Sequence, residues 1–435
     1  MSNKSTLPEN PHISPFEFKG TGKEYFGIWI VNILLTIVTL GIYSAWAKVR
    51  NKQYFYGNTF LEGSSFEYTA EPKQILKGRI IAILFFILYN LVATYFPLIS
   101  VILGLLLLLI TPWIIMKSLA FNARYSQYRN IRFGFQQDLK ESAKVFILIP
   151  LLTIFPIIVL LGAYFGFHSS ALAPGAEVNQ VPWHFPVIIS LAMLAMFAAY
   201  PYIIYRTKGY IAGNHKYGNV DFNFRLNSAK PFYMLYAKVF LIFAIIGAIF
   251  VGLAYMLEPN LGSVNNPQTL SIESADLEGL DSQSSELENA GDQNSDTDDA
   301  YNTNDPANNP LGASYAIGAF IGQLIALGFY LFIFAYIAAH TYNIVYQNTK
   351  VGKHLLRAKM KPSELAMIYF TNTFGIILTL GLFIPWAKVR TARYRVANTA
   401  LQVNGDLDNF IAVQDEQQNA FGEEFGEVFD LDVGI

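Results

Sequence analysis

Residues 39–50 read TLGIYSAWAKVR and residues 379–390 read TLGLFIPWAKVR, with eight of the twelve positions identical. The match widens without a gap to 24–61 against 364–401. It pairs Glu24 with Glu364, Asn32 with Asn372, Trp46 with Trp386, Tyr54 with Tyr394 and Asn58-Thr59 with Asn398-Thr399. This is an internal repeat. Each copy predicts an apolar helix, a glycine break at Gly41 or Gly381 suited to a left-handed C-cap, and a short basic, aromatic helix suited to a membrane–water interface. Thr21-Gly22-Lys23-Glu24 reads as a capping box, and Ser363-Glu364 opens the second copy similarly. Ser44 is placed to cap the basic helix of copy one, and Pro385 suits its first turn in copy two. Trp46 and Arg50 lie one turn apart, so the guanidinium can cover the indole.

The 435 residues are 53% hydrophobic and only 14% charged, where soluble domains carry about 25% charged residues. Six long apolar segments account for the deficit, near 79–97, 98–116, 145–167, 184–205, 237–257 and 313–342. Each is long enough to cross a hydrocarbon core, and backbone amides in lipid need internal partners, so all six read as helices. The expected fold is an all-α polytopic membrane protein. It has six spanning helices plus the two hinge helices, six to eight membrane segments in all, with short cytoplasmic strands or hairpins. The first 20 residues lack an apolar core and a small-residue cleavage site, so no cleaved signal is expected. There are no cysteines, which excludes disulfides and thiolate chemistry.

Lys and Arg crowd the connection before residue 79 and the loops 117–144, 206–238 and 343–363. They are absent from the turn at 95–100, from 168–184 and from 258–312. The positive-inside rule puts the four basic loops in the cytoplasm and the other three outside. Segment 258–312 holds 12 acidic residues and reads as a disordered acidic periplasmic linker. The expected order is a cytoplasmic segment 1–23, copy one at 24–61, a five-helix membrane region at 79–257, the linker at 258–312, a helix at 313–342, copy two at 364–401 and an acidic tail at 402–435.

Six spans place the end of copy one and the start of copy two on the same side. Two full crossings would then leave one WAKVR helix outside, against its charge. Three readings are open: the copies are re-entrant, they form an inverted repeat that breaks the charge rule once, or the span count is off by one. The re-entrant reading is preferred, because Tyr25 to Leu40 is short for a crossing and identical sequences suit identical environments.

Y-x-N elements recur at 56–59, 128–131, 217–220 and 346–349, with the related VANT at 396–399. Aromatic pairs recur as FEF at 16–18, FEY at 66–68, FGF at 133–135 and FNF at 222–224. Alternation puts both rings on one strand face, so short strands packed together under the membrane are a further expectation. The alternative is separate aromatic anchors at headgroup level.

No Walker loop, H-E-x-x-H or G-x-S-x-G is present, and no catalytic, cofactor or metal residue is expected. Asn32, Asn372 and His340 are the candidate polar residues within the membrane, able to line a path or to join helices. Trp46, Lys48, Arg50, Trp386, Lys388 and Arg390 are the candidate interfacial set, suited to anionic headgroups. Phe421, Phe425 and Phe429 recur every four residues in the acidic tail and form a stripe for docking on the chain itself or on a protein partner. The lipid bilayer is the expected partner. No nucleic acid is expected, and the oligomeric state is open.

The doubled T-L-G-x-x-x-x-W-A-K-V-R, the Y-x-N-T elements and the acidic Phe-bearing tail resemble the YjgN family of bacterial inner-membrane proteins. The resemblance covers almost the whole chain; the long acidic segment 258–312 departs from it. It implies an inner-membrane location and carries no established activity or site. Two functions compete: a transporter or channel-like protein, resting on the broken repeat helices and Asn32 and Asn372, and a non-catalytic scaffold or anionic-lipid-binding protein, resting on the basic helices. A membrane enzyme ranks third.

Overall fold

A computed structural model describes residues 11–167, 184–261 and 310–414. It overturns the all-α expectation. The described residues contain eleven strands, all antiparallel and all in one sheet. They are β1 (His12–Pro15), β2 (Glu17–Phe18), β3 (Thr59–Leu61), β4 (Ser64–Tyr68), β5 (Ser126–Tyr128), β6 (Ile131–Phe135), β7 (His215–Tyr217), β8 (Val220–Phe224), β9 (Thr349–Val351), β10 (His354–Ala358) and β11 (Thr399–Val403). The sheet runs β1-β11-β10-β9-β8-β7-β6-β5-β4-β3-β2. Its two ends, β1 and β2, are consecutive pieces of one N-terminal segment that changes neighbour at Phe16. The sheet therefore comes round on itself as a barrel, and the N-terminal segment, expected as a strand only at 16–18, completes it.

Four tight turns set the hairpins. Glu62 and Gly63 both have positive φ (47° and 73°), as do Arg129 and Asn130 (48° and 64°). That is the type I′ geometry whose twist matches paired strands. In the other two turns Gly218 and Gly352 supply the positive φ, 56° in each.

Helices leave and return at the opposite rim. They are α1 (Gly22–Val38), α2 (Ser44–Gly57), α3 (Pro72–Tyr95), α4 (Pro97–Arg124), α5 (Leu139–Ala143), α6 (Ile149–Phe167), α7 (His184–Gly213), α8 (Lys230–Leu261), α9 (Pro310–Gln347), α10 (Pro362–Leu378) and α11 (Ile384–Ala397). One backbone hydrogen bond recurs wherever a strand meets a helix end. Lys19, Thr69, Gln136, Arg225 and Lys359 donate their N–H to the carbonyls of Asn58, Tyr125, Asn214, Asn348 and Asn398, at 2.7–3.0 Å. The unit of the fold is thus a helix pair followed by a β-hairpin, repeated five times. In the fifth unit the N-terminal segment stands in for the second strand.

The recurring asparagines divide into two roles. Asn58, Asn214, Asn348 and Asn398 end helices, each Nδ2 donating to the carbonyl four residues back at 2.7–2.9 Å. Asn130 and Asn219 instead occupy hairpin turns. The Y-x-N elements, alike in sequence, are two structural devices.

Among the described residues six helical stretches are long and apolar enough to cross a membrane: Pro72–Tyr95, Pro97–Arg124, Leu139–Gly166, Pro186–Gly213, Lys230–Ile249 and Phe320–Gln347. Pro97 opens α4, as the break after the first span requires. α3 buries no residue within the chain and exposes a run that includes Ile80, Leu84, Phe86 and Leu88, a surface suited to lipid. The four basic loops expected on one side are the segments that build the barrel, so the sheet holds them together in one place.

The chain divides into two units. One takes residues up to 238 and from 330 onward and contains the whole barrel. The other takes 239–329 and is described over the apolar stretches 239–261 and 310–329, where Phe243 and Phe329 meet edge to face at 5.3 Å. The acidic linker lies outside the described residues over 262–309, as does the phenylalanine stripe at Phe421, Phe425 and Phe429.

Candidate functional site

Both repeat copies are helical hairpins that start at the barrel rim and return to it. The 17-residue helices α1 and α10 reach about 25 Å. Each ends in a Schellman motif. Gly41 N–H donates to Thr36 O (2.7 Å) and Leu40 N–H to Ile37 O (3.1 Å), and Gly381 and Leu380 repeat the pattern. The first left-handed residue is leucine, at φ 49° in both copies, one position earlier than the expected glycine. Thr21 makes its capping box. Lys361, with no side-chain cap, opens the second copy, and neither basic helix has a side-chain cap.

The return of each hairpin is fixed by its buried asparagine. Asn32 Nδ2 donates to Asn51 Oδ1 across α1 and α2 at 3.2 Å. Asn372 Nδ2 donates to Thr391 Oγ1 (3.2 Å) and Ala387 O (3.3 Å) across α10 and α11. The second copy touches the first and the segment before it: Trp386 packs on Phe26, and Arg393 donates to Gly20 O at 2.8 Å.

The candidate interfacial set separates. Trp46 stacks on Tyr43, and Arg50 donates to the Tyr43 hydroxyl rather than covering the indole. Arg390 donates to Thr371 at 2.6 Å. Lys48 is exposed. Only Lys388 reaches a chamber, of 730 Å³, between the hairpins and α9. There it is joined by Lys52 and Arg395, with Leu331, Phe334, Tyr369 and Ile376 on the facing wall and, among the described residues, no carboxylate in the lining. Burial, then neighbouring Lys48, pushes the Lys52 ammonium down to about 8. Lys52 donates to Asn122 and lies over the Tyr68 ring. His340 sits on α9 against Tyr336, at 4.4 Å, and lines neither chamber.

A second cavity, of 550 Å³, fills the barrel. The aromatic pairs build its wall. Phe16, Phe66, Phe133 and Phe222 follow one another round the inside at 5.9, 6.4 and 6.4 Å, with Leu356 and Leu401 continuing the belt. Phe55, Tyr56, Ala392 and Arg395 belong to both cavities. The repeat supplies this partition from matching positions: Lys52 corresponds to Ala392, Phe55 to Arg395 and Tyr56 to Val396.

The turn rim is covered by a short helix at 407–414, labelled α12. Leu407 and Ile411 enter the barrel core with Phe410 packed against it. Gln414 Oε1 accepts from Asn219 N–H at 2.9 Å, and Phe410 meets the fully buried His354 edge on at 4.7 Å. His354 Nδ1 accepts from Asn404 N–H, while its Nε2 has no partner. Burial, then Lys353 and His12, hold this imidazole down to about 4.

Sequence reading missed Lys52, Arg395 and His354 as site residues. The i, i+4, i+7 spacing of Lys388, Ala392 and Arg395 is the one signal that puts part of the chamber on a single helix face. Among the described residues no group of His, Asp and Glu is arranged to hold a metal.

A family model described as "Bacterial protein of unknown function (DUF898)" matches residues 13–428. The chain belongs to this family. It is 32% identical over 182 residues to inner membrane protein YjgN of Escherichia coli (strain K12), covering 42% of the chain and 43% of that protein. It is 24% identical over 431 residues to inner membrane protein YjgN of Salmonella typhimurium, covering 96% and 95%. The stretch matched to the Escherichia coli relative is thus less than half of that protein, whereas the Salmonella match is nearly end to end. No solved structure matches. The family and the six apolar helices make this a multi-pass inner-membrane protein.

Proposed function

We propose that this family member is a non-catalytic lipid-binding membrane protein whose barrel receives an acyl chain. The observation that carries the reading is the 550 Å³ cavity lined by aromatic and aliphatic residues. Its size is that of a small-molecule site. So much apolar wall is unfavourable to leave against water. Water would find few polar partners there. An apolar occupant removes the conflict. The hairpin chamber, with apolar side chains of α9 and α10 in its wall, is the entry.

Transport is the weaker reading. Its main support is a polar path at Asn32 and Asn372; each Nδ2 is engaged with the returning helix of its own hairpin, while Asn372 lines the hairpin chamber and both Oδ1 atoms lack a partner. The charge of the loops supports a cytoplasmic barrel.

Native mass spectrometry of detergent-extracted protein tests the reading with dodecyl maltoside, a neutral single-chain amphiphile, as ligand. We expect one chain retained per protein, lost in Leu401→Trp, which fills the cavity, at unchanged helical content. Equal retention by the filled variant removes the barrel as the binding place.

A further inference from the structure

Three cations meet in the hairpin chamber. Lys388 and Arg395 lie two turns apart on one face of α11, about 10 Å along the axis. Lys52 lines the chamber from the repeat position matching Ala392, with its Nζ donating to Asn122 and lying over the Tyr68 ring. The small Ala392 leaves space between the two helices. Among the described residues none of the three forms an ion pair. The rest of the lining is mostly apolar or aromatic, with only neutral polar groups such as Asn51, Thr373 and Thr391. Lys52 is half-buried while Lys388 and Arg395 are exposed; cations grouped without a counter-charge favour a bound anion, and a guanidinium suits the planar, two-pronged carboxylate or phosphate. Arg395 also lines the barrel cavity. An anion held there leaves its attached chain facing the phenylalanine belt.

We propose that the chamber is a headgroup seat. Lys52, Lys388 and Arg395 bind the carboxylate or phosphate of a single-chain anionic amphiphile taken from the bilayer, while its acyl chain enters the barrel. This rests on the lipid-binding reading above and adds the charge and the chain number. One 550 Å³ cavity suits one chain, within the range of drug-sized ligands. The seat explains why the duplicated helices diverge where they face each other. The shared WAKVR carries Lys388, and the divergent positions add Lys52 on one copy and Arg395 on the other.

The test compares dodecanoate, dodecyl phosphate and dodecyl maltoside, each titrated into the full chain in one nonionic detergent. Wild-type protein is expected to prefer at least one anionic ligand over the neutral one by tenfold or more. The stronger of dodecanoate and dodecyl phosphate names the headgroup. Lys388→Gln with Arg395→Gln is expected to abolish that preference; Lys52→Gln lowers it severalfold. Lys48→Gln with Arg50→Gln, outside the chamber, is expected to change nothing. Equal binding of all three ligands by wild type overturns the seat while the barrel reading stands. A preference that survives the chamber variants overturns it as well. Binding of none of the three overturns the barrel reading itself.

Discussion

Trp386 of the second repeat lies 5.1 Å, centroid to centroid, from Phe26 of the first. The chain's two similar ends are neighbours because the barrel closes between them. The indole also covers Gly22: a Cβ there would stand 2.3 Å from Trp386 Cδ1. Trp386→Ala is therefore expected to cost about 1–2 kcal/mol, a half-exposed aromatic contact. Gly22→Val destabilises by displacing the indole. The double variant should cost clearly less than the sum, since removing Trp386 frees the space. Thermal unfolding in detergent measures all three, and strict additivity contradicts the contact.

The asparagines should differ. Asn32→Leu leaves Asn51 without its donor, whereas after Asn372→Leu Thr391 keeps its own bond to Ala387 O at 2.8 Å. Interhelical hydrogen bonds of this kind are worth about 0.5–2 kcal/mol. We expect Asn32→Leu to fall near the upper end of that range and Asn372→Leu near the lower. Denaturant titration of both variants ranks them, and the reverse order removes this account of the hairpins.

His354 sets an acid limit. Its folded pKa is pushed down to about 4, while the unfolded imidazole titrates near 6.5. Between these values the unfolded state binds more protons, so stability falls as pH drops from about 6.5 to about 4. Above 6.5 the residue contributes no pH dependence. The loss is on the order of 3 kcal/mol at most. His354→Gln should flatten the melting temperature across this window, and an unchanged slope assigns the acid sensitivity elsewhere.

The cover at α12 rests on packing more than charge. Arg129 donates to Asp408 at 2.5 Å, but the Asp408 side chain is 83% exposed. Asp408→Ala should cost less than about 1 kcal/mol. Phe410→Ala opens a gap against His354 and Gly352 and should cost roughly 2 kcal/mol or more. Limited proteolysis after residue 404 should follow the same ranking.

One barrel means one side. The natural chain has no cysteine, so single cysteines at the exposed positions Glu67, Asp221 and Lys353 need no background removed. All three are expected to react from the cytoplasmic face in inverted vesicles and to resist an impermeant reagent applied to spheroplasts. A split result would break the shared sheet.

The sequence by itself determined the membrane class, the six apolar spans, the repeat and the family. These are local signals: a 20-residue apolar run, or a matching string, is visible without knowing its neighbours. It also put Phe66, Phe133 and Phe222 on strand faces and Asn32 and Asn372 inside helices. The tertiary structure decided what those residues do. The strands are two to five residues long, too short to announce a barrel, and most of their pairings join segments separated by a whole helix pair. Residues 12–15, within the N-terminal segment and without a strand signal of their own, become strand because β11 presents a free edge, and the FEF at 16–18 finds its partner in β3. Lys52 and Arg395 resemble other basic residues in the chain until α2 and α11 face each other. The repeated TLG hinge shows how the two levels divide. Its sequence specifies a helix that stops and turns, and the closed sheet at its feet makes both copies turn back.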